Sequence, residues 1–189
     1  MRTLKLQMLI TLDGFGIEPP DGDGQAIVWD DEVEIFCVEN LKNVDRIVLG
    51  RKTADDFIPY WMKVAEDPGH KEYPLGRPLT DIPKTVFSTR PPDKSWSNTT
   101  VVAGDIVTEI EQLKNESGGD MIVYGGYSFV SALIRNRLID TYYLLVHPLM
   151  MGRGQRIQQD LQRYLKLDLQ QCRAFPHGVV LLHYTQPKA

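Results

Sequence analysis

Cysteine is scarce in this chain: among 189 residues only Cys37 and Cys172 carry thiols, far apart and outside any Cys-x-x-Cys. That excludes a disulfide framework and a cysteine-based zinc cluster, and it reads as two buried free thiols in a reducing compartment. Positive charge is not in excess. Lys and Arg number 21 against 25 Asp and Glu, and a net charge of −4 offers no electrostatic footprint for nucleic acid. No apolar run is long enough to cross a bilayer, so no membrane partner is expected. The opening residues Met1-Arg2-Thr3-Leu4-Lys5-Leu6 go straight into a strand pattern instead of a signal peptide, so a cytoplasmic protein is expected. Repeats and low-complexity linkers are missing too. One domain over residues 1–189 is therefore expected, large enough to bury a core without staples.

What is present centres on Met121-Ile122-Val123-Tyr124-Gly125-Gly126-Tyr127-Ser128-Phe129. The consecutive apolar residues suit a strand buried on both faces, as in a parallel sheet. Ser128 reads as a helix N-cap, followed by Phe129, Val130, Leu133, Ile134 and Leu138 at helical spacing. Two glycines between strand and helix let a ligand lie against bare backbone, and the helix N-terminus beyond them suits a phosphate. The same pair also serves as a plain tight turn, and both readings stand at this point.

The rest of the chain repeats that plan. A strand over residues 4–12 runs into Asp13-Gly14-Phe15-Gly16-Ile17 and a turn-rich stretch, Pro19 to Gly24. Asp30 or Asp31 caps a helix bearing Val33, Phe36, Cys37 and Leu41, and Asp31 with Glu34 has capping-box spacing. A strand over 45–49 ends in Gly50-Arg51-Lys52-Thr53, and a short helix over 54–58 is expected to stop near Pro59. Residues 60–83, rich in Pro, Gly and charge, read as a surface excursion lining a pocket through Phe57, Tyr60, Trp61 and Tyr73. A strand over 84–87 stops at Ser88-Thr89-Arg90 before Pro91-Pro92; another over 99–102 precedes a helix capped by Asp105 and ended by Gly118-Gly119. After a strand over 140–147, two tail strands, 165–175 and 179–184, are joined by Pro176-His177-Gly178 and so run antiparallel.

Strands alternating with helices, closed by a hairpin, give an α/β fold with a mainly parallel sheet and an antiparallel C-terminal edge. Ligand sites in such sheets collect at the carboxyl ends of strands, which here hold Asp13-Gly14, Gly50-Arg51-Lys52-Thr53, Ser88-Thr89-Arg90 and Gly125-Gly126.

These segments, together with Thr11-Leu12-Asp13-Gly14 and His147-Pro148-Leu149-Met150-Met151-Gly152-Arg153-Gly154, occur in the order and spacing of the dihydrofolate reductase-like superfamily. Over nearly the whole chain the sequence more closely resembles the reductase domain of the bifunctional riboflavin-biosynthesis deaminase-reductase and its stand-alone relatives. The resemblance implies a three-layer α/β/α fold, often homodimeric, that binds NADPH and donates hydride to a small heterocyclic, pyrimidine or pterin-type substrate. It implies that Gly50, Arg51, Lys52 and Thr53, with Ser88, Thr89 and Arg90, handle the adenosine phosphates. Gly125, Gly126, Tyr127 and Ser128 would lie along the pyrophosphate and nicotinamide half. The deaminase half is absent: there is no His-x-Glu with a Pro-Cys-x-x-Cys partner.

Asp13 and Glu34 are the candidates for supplying the proton that hydride transfer requires. Asp13 also suits a bond to its own turn, and Glu34 a place in a helix cap. Trp29, Phe57 and Trp61 are candidates to stack on substrate and equally suit a core. Without the motif context Arg51 and Lys52 would read as solvated cations. His147 and His177 read as structural, with no carboxylate or thiol beside them to suggest a triad or a metal site. Two alternatives to the reductase reading remain: dihydrofolate reductase activity, and a non-catalytic nucleotide- or pterin-binding protein of the same fold.

Overall fold

The computed structural model describes residues 1–17, 27–91, 96–158 and 161–187. The turn expected at Pro19 to Gly24, and Pro92, lie outside them. Eight strands form one sheet: β1 (Leu4–Thr11), β2 (Val44–Gly50), β3 (Lys84–Phe87), β4 (Thr99–Val102), β5 (Asp120–Val123), β6 (Thr141–His147), β7 (Asp168–Ala174) and β8 (Val180–Thr185). Their order is β4-β3-β2-β5-β1-β6-β8-β7. Every pairing is parallel up to β6; β8 then runs antiparallel to both β6 and β7, closing the sheet with the expected hairpin.

Period-2 alternation divides the strand side chains between two layers of helices. On one face Ile47, Leu49, Ile122 and Leu145 pack with α1 (Asp31–Asn40), α2 (Arg51–Glu66) and α3 (Tyr73–Asp81) through Val33, Cys37, Ile58, Leu75 and Leu79. On the other, Leu4, Leu6, Val48, Met121 and Val123 pack with α4 (Ile106–Asn115) and α5 (Tyr127–Arg135) through Ile110, Leu113, Val130 and Leu133. The fold is the three-layer arrangement expected.

Several local expectations change. α2 does not stop at Pro59 but continues to Glu66. Packing of Ile58 and Val64 outweighs one lost backbone bond, and α3 lies so close to α2 that a Cβ on Gly76 would sit 2.8 Å from the Ala65 nitrogen. Residues 60–83 are thus mostly two packed helices rather than a surface excursion. Ser128 is not the cap of α5: the helix begins at Tyr127, with Gly126 at the cap position and φ of 77°. Asp30 alone caps α1, accepting a hydrogen bond from the Val33 N–H at 2.9 Å; Asp31 and Glu34 form no capping box, because Val33 holds the third helical position. Cys37 is buried, but Cys172 lies on the exposed edge strand β7. His177 does meet a carboxylate: its Nδ1 is 2.9 Å from Asp30 Oδ2, tying the hairpin turn to the start of α1. His147 is fully buried with both ring nitrogens unpartnered among the described residues, and burial lowers its pKa.

Candidate functional site

Two helices start at the carboxyl end of the sheet without a side-chain cap. α2 begins after Gly50 and α5 after Gly126, neither with a hydrogen bond from a capping side chain. Between them runs a groove of about 1210 Å3, lined by Gly50, Arg51, Lys52, Thr53, Gly125, Gly126, Tyr127 and Ser128. The two helices are drawn together because Gly50 lacks a side chain: a Cβ there would sit 3.0 Å from Phe129 Cβ. At Gly125 an added Cβ would meet only Thr53 Cγ2 at 3.8 Å and Met8 Sδ at 4.0 Å, so the backbone face is open to the groove. Gly126 differs: its φ is positive, and a Cβ there would sit only 2.9 Å from Thr53 Oγ1, which reserves the position for glycine.

The groove continues into a second lobe of about 970 Å3, sharing Arg51, Lys52, Asp55, Phe87 and Phe129 and adding Ser88, Thr89 and Arg90. Ser88 turns the chain, donating from Oγ to the Arg90 carbonyl at 2.5 Å and accepting from the Arg90 N–H at 3.1 Å. All three predicted cations therefore border one groove. An acid joins them: Asp55, one turn along α2, lies 3.7 Å from the Arg51 Nε.

At its other end the groove meets an inner pocket of about 400 Å3 beside Met8, Leu9, Phe57, Tyr60, Trp61 and Tyr124, which border both. Trp29, Phe57 and Trp61 all line it, as does Tyr60; Tyr73 does not. Phe57 stacks on Tyr124 with centroids 5.5 Å apart. Burial pushes the Tyr124 phenol well above its ordinary range, so it keeps its proton. Gln7 and Cys37, not expected from the sequence, are also in the lining. The signal for Gln7 was a polar residue interrupting the apolar run of β1. Burial pushes the Cys37 thiol up to about 12, so it stays neutral.

Asp13 and Glu34 are not brought to this site: neither lines any of these three cavities. Asp13 latches two loops. Its Oδ1 accepts from the Thr11 hydroxyl at 2.5 Å and the Met151 N–H at 3.2 Å, and its Oδ2 from the Gly152 N–H at 2.7 Å. The Thr11 hydroxyl first, then the Gly152 N–H, lower its pKa, which holds the group ionised at neutral pH and unsuited to donate a proton. The latch places residues 13–17 beside the groove, where Gly16 lies under the Tyr127 ring and Ile17 joins the lining. Glu34 sits in the first turn of α1, its N–H bonded to the Asp30 carbonyl at 3.0 Å.

The family model for the RibD C-terminal domain matches residues 2–181. The chain belongs to this family. It is 31% identical over 183 residues to the uncharacterized protein YyaP of Bacillus subtilis (strain 168), covering 97% of this chain and 94% of the relative. Among solved structures it is similar to a diaminohydroxyphosphoribosylaminopyrimidine deaminase/5-amino-6-(5-phosphoribosylamino)uracil reductase from Thermotoga maritima, with TM-score 0.68 and 15% identity over 98% of this chain and 57% of that one. It is also similar to the dihydrofolate reductase of Enterococcus faecalis complexed with NADP(H), with TM-score 0.63 and 15% identity over 98% of this chain and 97% of that one. The likeness to those structures establishes the dihydrofolate reductase-like fold, and membership of the RibD C-terminal domain family places the chain in a reductase-like family. Among the described residues no helix is long and apolar enough to cross a membrane, and no group of three or more His, Cys, Asp and Glu is placed to hold a metal ion.

Proposed function

We propose that this protein is an NADPH-dependent reductase acting on a small heterocyclic substrate. One observation carries the reading: an open, cation-bordered groove with two uncapped helix N-termini leads directly into an aromatic pocket. The residues fit the cofactor. Gly125 leaves bare backbone on the groove, the starts of α2 and α5 suit the pyrophosphate, and Arg51, Lys52 and Arg90 suit the adenosine phosphate. NADPH would supply the hydride; the protein supplies position, dryness and a hydrogen-bond donor. Tyr124 borders both cavities and keeps its proton, which supports assigning its phenol as the donor to the substrate atom that gains negative charge. The cytoplasm as location and a homodimer as assembly belong to the same proposal; the exposed edge strand β7 is the place for a second copy to pair.

A thermal-shift panel of NADPH, NADH, dihydrofolate and a riboflavin precursor tests the reading, since a ligand that binds the native state raises its apparent stability. NADPH is expected to give the larger shift of the two nicotinamides. No shift with either nicotinamide would favour a non-catalytic protein of the same fold.

A further inference from the structure

We propose that Asp55 sets how sharply the groove distinguishes the two nicotinamide dinucleotides: its carboxylate pairs with Arg51, accepts from the free ribose hydroxyls of NADH, and opposes the phosphate that replaces one of them in NADPH. The inference rests on the reductase reading and adds to it a group that works against the cations of the same site.

Charge in the outer lobe has one sign except at this position. Arg51, Lys52 and Arg90 are cations of its lining, and Asp55 is the acid among its described lining residues. Asp55 also lines the larger groove, so it stands where the two lobes join. Its neighbour Asp56 lines the larger groove alone and is exposed, whereas Asp55 is partly buried. The helix explains the placement. Residues four apart share one side of a helix, so Asp55 lies beside Arg51, with Oδ2 3.7 Å from Nε. The first turn of α2 carries no acid, which leaves that end suited to an anion; the carboxylate enters one turn later.

As a surface ion pair the contact would contribute little to stability, because solvent reaches both partners and screens them. Its place in the lining gives it a second role: a cofactor phosphate competes for an arginine that already has an anion beside it. A carboxylate beside an adenosine ribose accepts hydrogen bonds from its hydroxyls and repels a phosphate. NADPH therefore has to draw Arg51 from Asp55 and bring negative charge toward the carboxylate. NADH leaves the pair in place and offers hydroxyl donors. The cations and Asp55 pull the preference in opposite directions, and the native ratio is their balance: NADPH ahead, with NADH still bound.

The test is isothermal titration of the full chain with NADPH, NADH, adenosine 2′,5′-bisphosphate and adenosine 5′-phosphate, using native protein, Asp55→Asn and Asp55→Ala. Asp55→Asn is expected to tighten NADPH by about fivefold and to leave NADH within about twofold, since an amide oxygen still accepts from a hydroxyl. Asp55→Ala should tighten NADPH likewise and also weaken NADH by about threefold, because the acceptor is gone. The two adenosine fragments lack the nicotinamide, so the same divergence between them locates the effect at the adenosine end. The proposal is overturned by an unchanged NADPH-to-NADH ratio in Asp55→Asn, by undiminished NADH binding in Asp55→Ala, or by a ratio that moves for the dinucleotides and not for the fragments. Each of those results, with NADPH bound by native protein, leaves the reductase reading standing; binding of neither dinucleotide by native protein overturns both.

Discussion

The outer groove and the inner pocket meet at Tyr124, yet they are built in opposite ways. The groove is made of short contiguous turns at strand ends, Gly50-Arg51-Lys52-Thr53, Ser88-Thr89-Arg90 and Gly125-Gly126, with backbone and cations as its chemistry. The pocket gathers single side chains from β1, α1, α2, α3 and the segment before α1, with aromatic faces and one fixed amide as its chemistry. The first design suits a charged ligand part that many sequences could bind alike; the second suits a substrate that only this set of side chains selects.

The largest expected effect separates the two. Gly125→Val adds methyl groups where the groove is open and where the backbone tolerates a Cβ. It is expected to weaken NADPH by about a hundredfold or more, while the melting temperature of the unliganded protein moves little. Gly126→Val is the poorer probe, because φ of 77° would strain the fold itself. Normal NADPH titration by Gly125→Val protein would break the assignment of the groove.

Next comes the packing beneath the pocket. Gly76→Val must push α3 off the Ala65 backbone and is expected to cost about 1–3 kcal/mol in urea unfolding. Its folded form should keep NADPH, because α3 lines the inner pocket and not the groove, the converse of Gly125→Val. A loss of NADPH alone would mean that the helix pair does not shape the pocket selectively.

Smaller still is Asp30→Ala, which removes the cap of α1 and the His177 contact. About 1 kcal/mol of stability should go. The Val33 N–H and then His177 lower the Asp30 pKa, so its contribution is fully present above the unfolded value of 3.8 and fades as pH falls through the lower folded value. Unfolding measured from neutral pH downward should therefore show native and Asp30→Ala protein converging in acid; a constant gap would assign the loss to packing instead.

The groove was legible in the sequence because each of its turns is local: a glycine after an apolar run, then hydroxyls and cations. The pocket was legible only in its aromatic residues. Gln7 owes its role to Asn40 and Cys37, about 30 positions away, and no local pattern reports such a contact. Asp13 stood at a strand end with the right chemistry, but its oxygens are taken by backbone N–H groups from residues 151 and 152, a long-range latch. Pro59 misled for the related reason that the packing of α2 on α3 overrode a local helix breaker.

The central claim is that the cations at the two strand ends read the phosphate that distinguishes NADPH from NADH. The deciding measurement is the pair of dissociation constants for native protein, Arg51→Ala and Arg90→Ala. Charge-assisted hydrogen bonds contribute roughly 1.5–3 kcal/mol each, so the native protein should prefer NADPH on the order of a hundredfold. Each substitution should weaken NADPH and barely change NADH, with Arg51→Ala the milder of the two because Asp55 already shares its charge. No initial preference, or equal loss for both cofactors, would contradict the account.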